Sequence, residues 1–145
     1  MKKQIMFVDN SASVLESVKW MFKDEPYSIS VFNDPFKALG ALNVAEFAVV
    51  VADQSMQEMG GLEFVKRVKE KSSDTVTIML YAFIEPETAR EAMNQEDVFL
   101  FVKKPIDNDK IKQAVEMALI NYQINIESKR LLGLAQPKSK ANQWQ

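Results

Sequence analysis

Apolar residues along the chain fall into five short runs, separated by stretches whose apolar positions recur with a helical period. Gln4 to Asp9 (QIMFVD) is the first run and ends in an acid. Behind it, Val14, Leu15, Val18, Met21 and Phe22 have the three- and four-residue spacing that predicts a helix over 13–23. Ser13 with Glu16 has capping-box spacing, and Ser11 is the alternative cap. Tyr27 to Phe32 (YSISVF) alternates and is rich in strand formers. Asp34-Pro35 then opens a short helix through Leu42, with proline in the first turn, where its missing N–H is tolerated.

Phe47 to Ala52 (FAVVVA) does not alternate at all, which predicts a strand covered on both faces, as in a parallel sheet. A loop ends at Gly60-Gly61, and Leu62, Val65 and Val68 begin another helical stripe. Thr75 to Leu80 (TVTIML) and Val98 to Val102 (VFLFV) are the fourth and fifth strands, with a polar, weakly apolar helix over Glu85 to Gln95 between them. From Asp107 a long helix carries Ile111, Val115, Ala118 and Tyr122 on one stripe. Five alternations of strand and helix at this spacing predict a three-layer α/β domain, doubly wound, with a parallel sheet and right-handed crossovers. The domain is expected over 1–123. Residues 124–145 read as a helical extension (NIESKRLL) and a polar, flexible tail broken by Gly133 and Pro137. That segment is a frayed terminus, a linker to an output domain outside this chain, or a helical dimer contact.

The composition narrows the chemistry. The chain has 145 residues, no cysteine and no histidine. Disulfides, thiol nucleophiles, thiolate metal sites, Ser-His-acid triads and His-ligated zinc are therefore excluded. A net charge of −2 argues against a broad nucleic-acid footprint. No apolar run approaches the ~20 residues of a membrane span, and the start has no signal-peptide pattern, so the expected location is the cytoplasm.

What remains is carboxylates, lysines, hydroxyls, amides and hard metal ions. Open α/β sheets bind ligands beyond the carboxyl ends of their strands. There the first strand ends in Asp9-Asn10, the third in Asp53, and the fifth in Lys103-Lys104-Pro105. If the first and third strands are neighbours, these groups share one pocket, and Asp53 is presented at the strand's mouth rather than swallowed by the core. Two nearby carboxylates repel. The lysine and a divalent cation with oxygen ligands, Mg²⁺ being the natural choice, would compensate them. Taken singly, Asp9-Asn10 is also a helix-start signal, Lys103 and Lys104 are surface lysines, Phe101 is core, and Met56 and Met59 are loop packing.

From Lys2 to Tyr122 the sequence resembles a bacterial two-component response-regulator receiver domain of the CheY-like kind. The segments that carry the resemblance are FVDN, VADQSMQEMGGLEF, IMLYAF and FLFVKKPID, in that order. The resemblance implies the flavodoxin-like strand order 2-1-3-4-5. It implies a signalling domain rather than an enzyme, in which Asp53 accepts a phosphoryl group from a kinase's phosphohistidine. Asp9, Asn10, Asp53 and the backbone carbonyl of Ser55 would hold Mg²⁺, and Lys104 would pair with the phosphoryl oxygens. A cis Lys104-Pro105 bond is common in the family. Tyr81 and Phe101 stand at the switch positions. Implied partners are a sensor histidine kinase or phosphotransfer protein, and a second copy through the helix over 85–95, the fifth strand and the following helix, or through the C-terminal extension. Neither nucleic acid nor membrane contact is implied for this domain.

Three positions depart from the family pattern. Asn10 replaces the second acid of the pair, Tyr81 stands where a threonine or serine is usual, and Gln57 replaces a loop proline. Asn10 and Tyr81 favour a second reading, a degenerate receiver that docks or dimerises without phosphorylation. A third, an aspartate-nucleophile hydrolase of the haloacid dehalogenase type, requires a second acid where Ser55 stands, and ranks low.

Overall fold

Five strands form one fully parallel sheet in the order β2-β1-β3-β4-β5. They are β1 (Lys3–Val8), β2 (Tyr27–Phe32), β3 (Val49–Asp53), β4 (Val76–Tyr81) and β5 (Leu100–Lys103). The helices are α1 (Ala12–Met21), α2 (Pro35–Ala41), α3 (Gly61–Lys71) and α4 (Asn108–Ala135). This computed structural model describes residues 2–83, 87, 91 and 96–135. The expected helix over Glu85 to Gln95 and the tail beyond Ala135 lie outside the described residues, save that Glu87 and Glu91 are helical.

Strand side chains alternate between faces, and the core divides accordingly. Ile5, Phe7, Val49, Val51, Ile78 and Leu80 pack with Leu15 and Val18 of α1 and with Ile111, Val115 and Ala118 of α4. Met6, Val8, Val50 and Ala52 pack on the other face with Ala38 and Leu39 of α2 and with Phe64 and Val68 of α3. The central strand β3 is buried along its whole length. That explains its unbroken apolar run: each buried Val is worth about 1.5–3 kcal/mol only if both faces are covered. β2, at the edge, is half-buried at every position but the exposed Ser28, so the alternation read from its sequence is not matched by an alternation in burial.

Element ends differ from the sequence reading by a residue or two. β3 runs one residue further and includes Asp53, β4 includes Tyr81, and β5 begins at Leu100 rather than Val98. The helix cap is Ser11, whose Oγ accepts from the Val14 N–H at 3.3 Å. Ser13 instead bonds the Ser11 hydroxyl at 3.0 Å, so the Ser13–Glu16 capping box does not form. Asp34 caps α2 through the Phe36 N–H at 2.9 Å. α4 is one continuous helix, and beyond the sheet it leans on the α3–β4 loop. There Asn125 Nδ2 donates to the Asp74 carbonyl (3.2 Å) and Lys129 pairs with the Asp74 carboxylate (3.2 Å).

Candidate functional site

Because β1 and β3 pair directly, with Phe7 opposite Val51 and Val8 opposite Ala52, Asp9 and Asp53 leave the sheet side by side. Backbone bonds beyond the strand ends hold both acids in place. The Asp9 N–H donates to the Phe32 carbonyl at 3.1 Å, the Gln54 N–H to the Leu80 carbonyl at 2.8 Å, and the Lys104 N–H to the Tyr81 carbonyl at 2.7 Å. These bonds extend the ladders by one rung each, so the site's three key residues are placed by the sheet rather than by a mobile loop.

Lys104 closes the arrangement. Its Nζ lies 2.8 Å from Asp9 Oδ2 and 3.3 Å from Asp53 Oδ1. One ammonium thus bridges two acids, with Asp9 2% and Asp53 7% exposed. Asp53 sits deeper than the sequence suggested: it is a buried residue at the end of β3. The other oxygen of Asp9 accepts from the Ser11 N–H (2.9 Å), and Asp53 Oδ1 receives the Ser55 N–H at 3.4 Å. Burial raises the Asp53 carboxyl above the usual aspartate range, with the Asp9 charge adding to it and Lys104 partly opposing it. Burial would lower Lys104, but its hydrogen bond to Asp9 and the charges of Asp9 and Asp53 outweigh this and hold the ammonium above its ordinary value.

The remaining predicted residues fall in two groups. Asn10 faces the β3–α3 loop: its Oδ1 accepts from the Gln57 N–H (2.8 Å), and its Nδ2 donates to the Asn33 carbonyl and to Glu58 Oε1 (both 3.1 Å). Tyr81 and Phe101 leave the sheet on the opposite parity from Asp9 and Asp53, and their rings meet edge to face at 6.5 Å. No hydrogen bond from Tyr81 reaches the acids among the described residues. The Lys104-Pro105 peptide is cis.

A sheet in the order 2-1-3-4-5, two acids at its central strand ends and a lysine spanning them can be set against known proteins. The sequence profile of the response regulator receiver domain matches residues 5–116. The chain belongs to that family. It is 27% identical to the transcriptional regulatory protein FixJ of Bradyrhizobium diazoefficiens, over 81% of this chain and 57% of FixJ. It is 29% identical to the regulatory protein AtoC of Escherichia coli, over 97% of this chain and 30% of AtoC. It superimposes with a TM-score of 0.85 on a solved structure described as an adenylate cyclase from Rhodopirellula baltica, at 26% identity, covering 92% of this chain and 98% of that one. The chain spans 57% of FixJ and less than a third of AtoC.

Receivers are two-component signalling domains that generally bind Mg²⁺, and the donors in this receiver suit that ion. Asp9, Asn10, Asp53 and the Ser55 carbonyl offer only oxygen, the ligand type of hard cations. Two of the four are charged, because position 10 is an amide. Among the described residues no three carboxylates cluster closely enough to hold a metal by themselves. No helix is long and apolar enough to cross a membrane among the described residues.

Two features of this receiver were missed in sequence. Glu58 reaches Asn10 across the loop, and Gly61 lies against the strand end: a Cβ there would stand 2.7 Å from the Asp53 carbonyl oxygen and 2.7 Å from Gln54 Cα. Neither leaves a mark in a single sequence, since an exposed loop glutamate and a glycine pair are common.

The raised Asp53 carboxyl has a consequence for stability. A group whose folded-state value is raised favours folding only while it is protonated, and that contribution is lost as pH rises through the folded value. Asp53→Asn is therefore expected to melt a few degrees higher than the parent at pH 7. The gap should close below about pH 3.9, where aspartate is protonated in both states. Calorimetry at the two pH values checks this.

Proposed function

We propose that Asp53 is the phosphoacceptor of this receiver, that Asp9, Asn10 and the Ser55 carbonyl complete its Mg²⁺ site, and that Lys104 receives the phosphoryl oxygens. The observation that carries the reading is the single ammonium of Lys104 held between Asp9 and Asp53. In the transfer, an Asp53 carboxylate oxygen attacks phosphorus while the bond from phosphorus to the donor nitrogen breaks and the donor imidazole leaves with the electron pair. The donor lies outside these 145 residues, which contain no histidine, and in this proposal it is a sensor histidine kinase or phosphotransfer protein.

The transition state is loose, so positioning and charge neutralisation do most of the catalytic work. β3 fixes the nucleophile, and Asp9 holds Lys104 charged beside it. When the phosphoryl group arrives, Lys104 can exchange its contact with Asp53 for one with a phosphoryl oxygen without leaving Asp9. Mg²⁺, when bound, supplies further neutralisation of the same oxygens. The readout of the switch, in this proposal, is a protein–protein contact involving β5, α4 and the 85–95 segment. Met117, Ile120 and Ile124 of α4 are exposed apolar residues suited to it. A cytoplasmic location and an output outside this chain belong to the same proposal.

Incubation with a small acyl phosphate and Mg²⁺ is expected to add the mass of one phosphoryl group to the intact chain. The addition should fail in chelator and in Asp53→Ala. Asn10 and the Tyr81–Phe101 ring contact favour the second reading, a docking module that works without phosphorylation. No adduct, with oligomeric state unchanged by beryllofluoride, would establish that reading instead.

A further inference from the structure

Asn10 leaves this receiver one charge short at the proposed cation site, and a carboxylate of the β3–α3 loop, Glu58, contacts it. The Asn10 side chain makes two opposed bonds to one loop, accepting from the Gln57 N–H at 2.8 Å and donating to Glu58 Oε1 at 3.1 Å. An aspartate at position 10 could accept the first bond, but it would repel Glu58. An amide makes both, and so holds the Glu58 carboxylate against the residue that follows Asp9. Amide and glutamate are complementary: the neutral residue is what allows the acid to approach.

From this we infer that Glu58 is the compensating acid of the cation site, an inference that rests on the phosphoacceptor reading of Asp53. Glu58 is exposed and does not cluster with Asp9 and Asp53 as a direct ligand set. It acts one shell out, orienting Asn10 so that the amide's position is fixed, and adding a negative charge that favours a divalent cation over solvent. Outer-shell carboxylates commonly tune metal affinity in this way. An exposed one should matter less than a buried one, and salt should weaken it further.

The test is a double-mutant cycle on Mg²⁺ affinity, titrated calorimetrically on the full chain without phosphodonor, with a thermal melt of each variant. Glu58→Gln keeps an oxygen for the Asn10 amide and removes only the charge. In the parent it is expected to weaken Mg²⁺ binding about fivefold. In the Asn10→Asp background, where the acid at position 10 repels Glu58 and carries the charge itself, it is expected to change affinity by less than about twofold. Glu63→Gln, an exposed acid already paired with Arg67 at 2.6 Å, controls for general surface charge and should leave affinity unchanged. Equal affinity of parent and Glu58→Gln would overturn the inference, as would the same loss in both backgrounds or an equal loss in Glu63→Gln. If the parent itself takes up no Mg²⁺, the phosphoacceptor reading falls with it. A parent that binds Mg²⁺ while Glu58→Gln changes nothing removes only the role of Glu58.

Discussion

Lys104→Met is expected to slow phosphoryl transfer to Asp53 by about a hundredfold or more, the usual loss when a preorganised charge-stabilising donor is removed from a transfer site. Methionine keeps the chain length and the packing near Pro105 but removes the charge. The transferred oxygens then meet Asp9 and Asp53 without the ammonium that stands between them at 2.8 and 3.3 Å. The same variant should cost about 2 kcal/mol of stability at neutral pH. This is less than the full penalty for stranding a buried charge, because the Lys104 side chain is one-fifth exposed. Without Lys104 nothing offsets the burial of Asp53 and the Asp9 charge beside it, so Asp53 should take a proton on mild acidification and the loss should shrink. In the parent, Lys104's own contribution has the opposite dependence: it is complete below the ordinary lysine value and lost only as pH rises through the raised folded value. A time course of intact mass reads the rate, and denaturant melts at pH 5 and pH 7 read the stability. A transfer rate within threefold of the parent would remove Lys104 from the mechanism.

Gly61→Ala is the second large effect. The first residue of α3 lies so close to the end of β3 that an added methyl would press on the Asp53 carbonyl oxygen and on Gln54 Cα at 2.7 Å, and on the Gln54 carbonyl oxygen at 3.2 Å. These are backbone atoms of the nucleophile itself and of the residue that follows it at the end of β3, and they have little room to move. The Gly61 N–H also donates to the Gln54 carbonyl at 2.9 Å, closing the loop over the site. A destabilisation of about 3 kcal/mol is expected, together with slower phosphorylation, because relief of the clash tilts Asp53. Gly60 is the internal control. A Cβ there meets nothing within 4 Å, so Gly60→Ala should fold and react like the parent. The requirement at 61 is for space rather than for an unusual backbone angle, as no glycine among the described residues has a positive φ.

The contrast between the two glycines shows where sequence reading stops. The sheet was legible because its signals are local and repeat. Uninterrupted valines mark a strand covered twice, alternation marks an edge strand, and an acid closing an apolar run marks the ligand-binding end. Asp9, Asp53 and Lys104 could be placed together for the same reason, since strand adjacency alone decides their meeting. The contacts of Asn10 could not. They depend on which way a loop five residues beyond Asp53 folds back, and nothing in the spacing of Gln57 and Glu58 specifies that. Ser11 outcompeted Ser13 as the cap because the chain turns into α1 two residues earlier than the capping-box spacing suggested. Tyr81 was recognised as an odd residue at its position, but its destination, the Phe101 ring on the opposite parity from the acids, follows only once β4 and β5 are in register.

The most direct measurement is to phosphorylate the chain with a small acyl phosphate and Mg²⁺, reduce it with borohydride, and sequence the peptides by mass. Reduction converts an aspartyl phosphate to homoserine and so marks the carboxylate that reacted. The expected result is homoserine at position 53 and at no other acid. Homoserine at Asp9 or Glu58, or an unmarked chain after prolonged exposure to the donor, would contradict the assignment of Asp53 as the nucleophile.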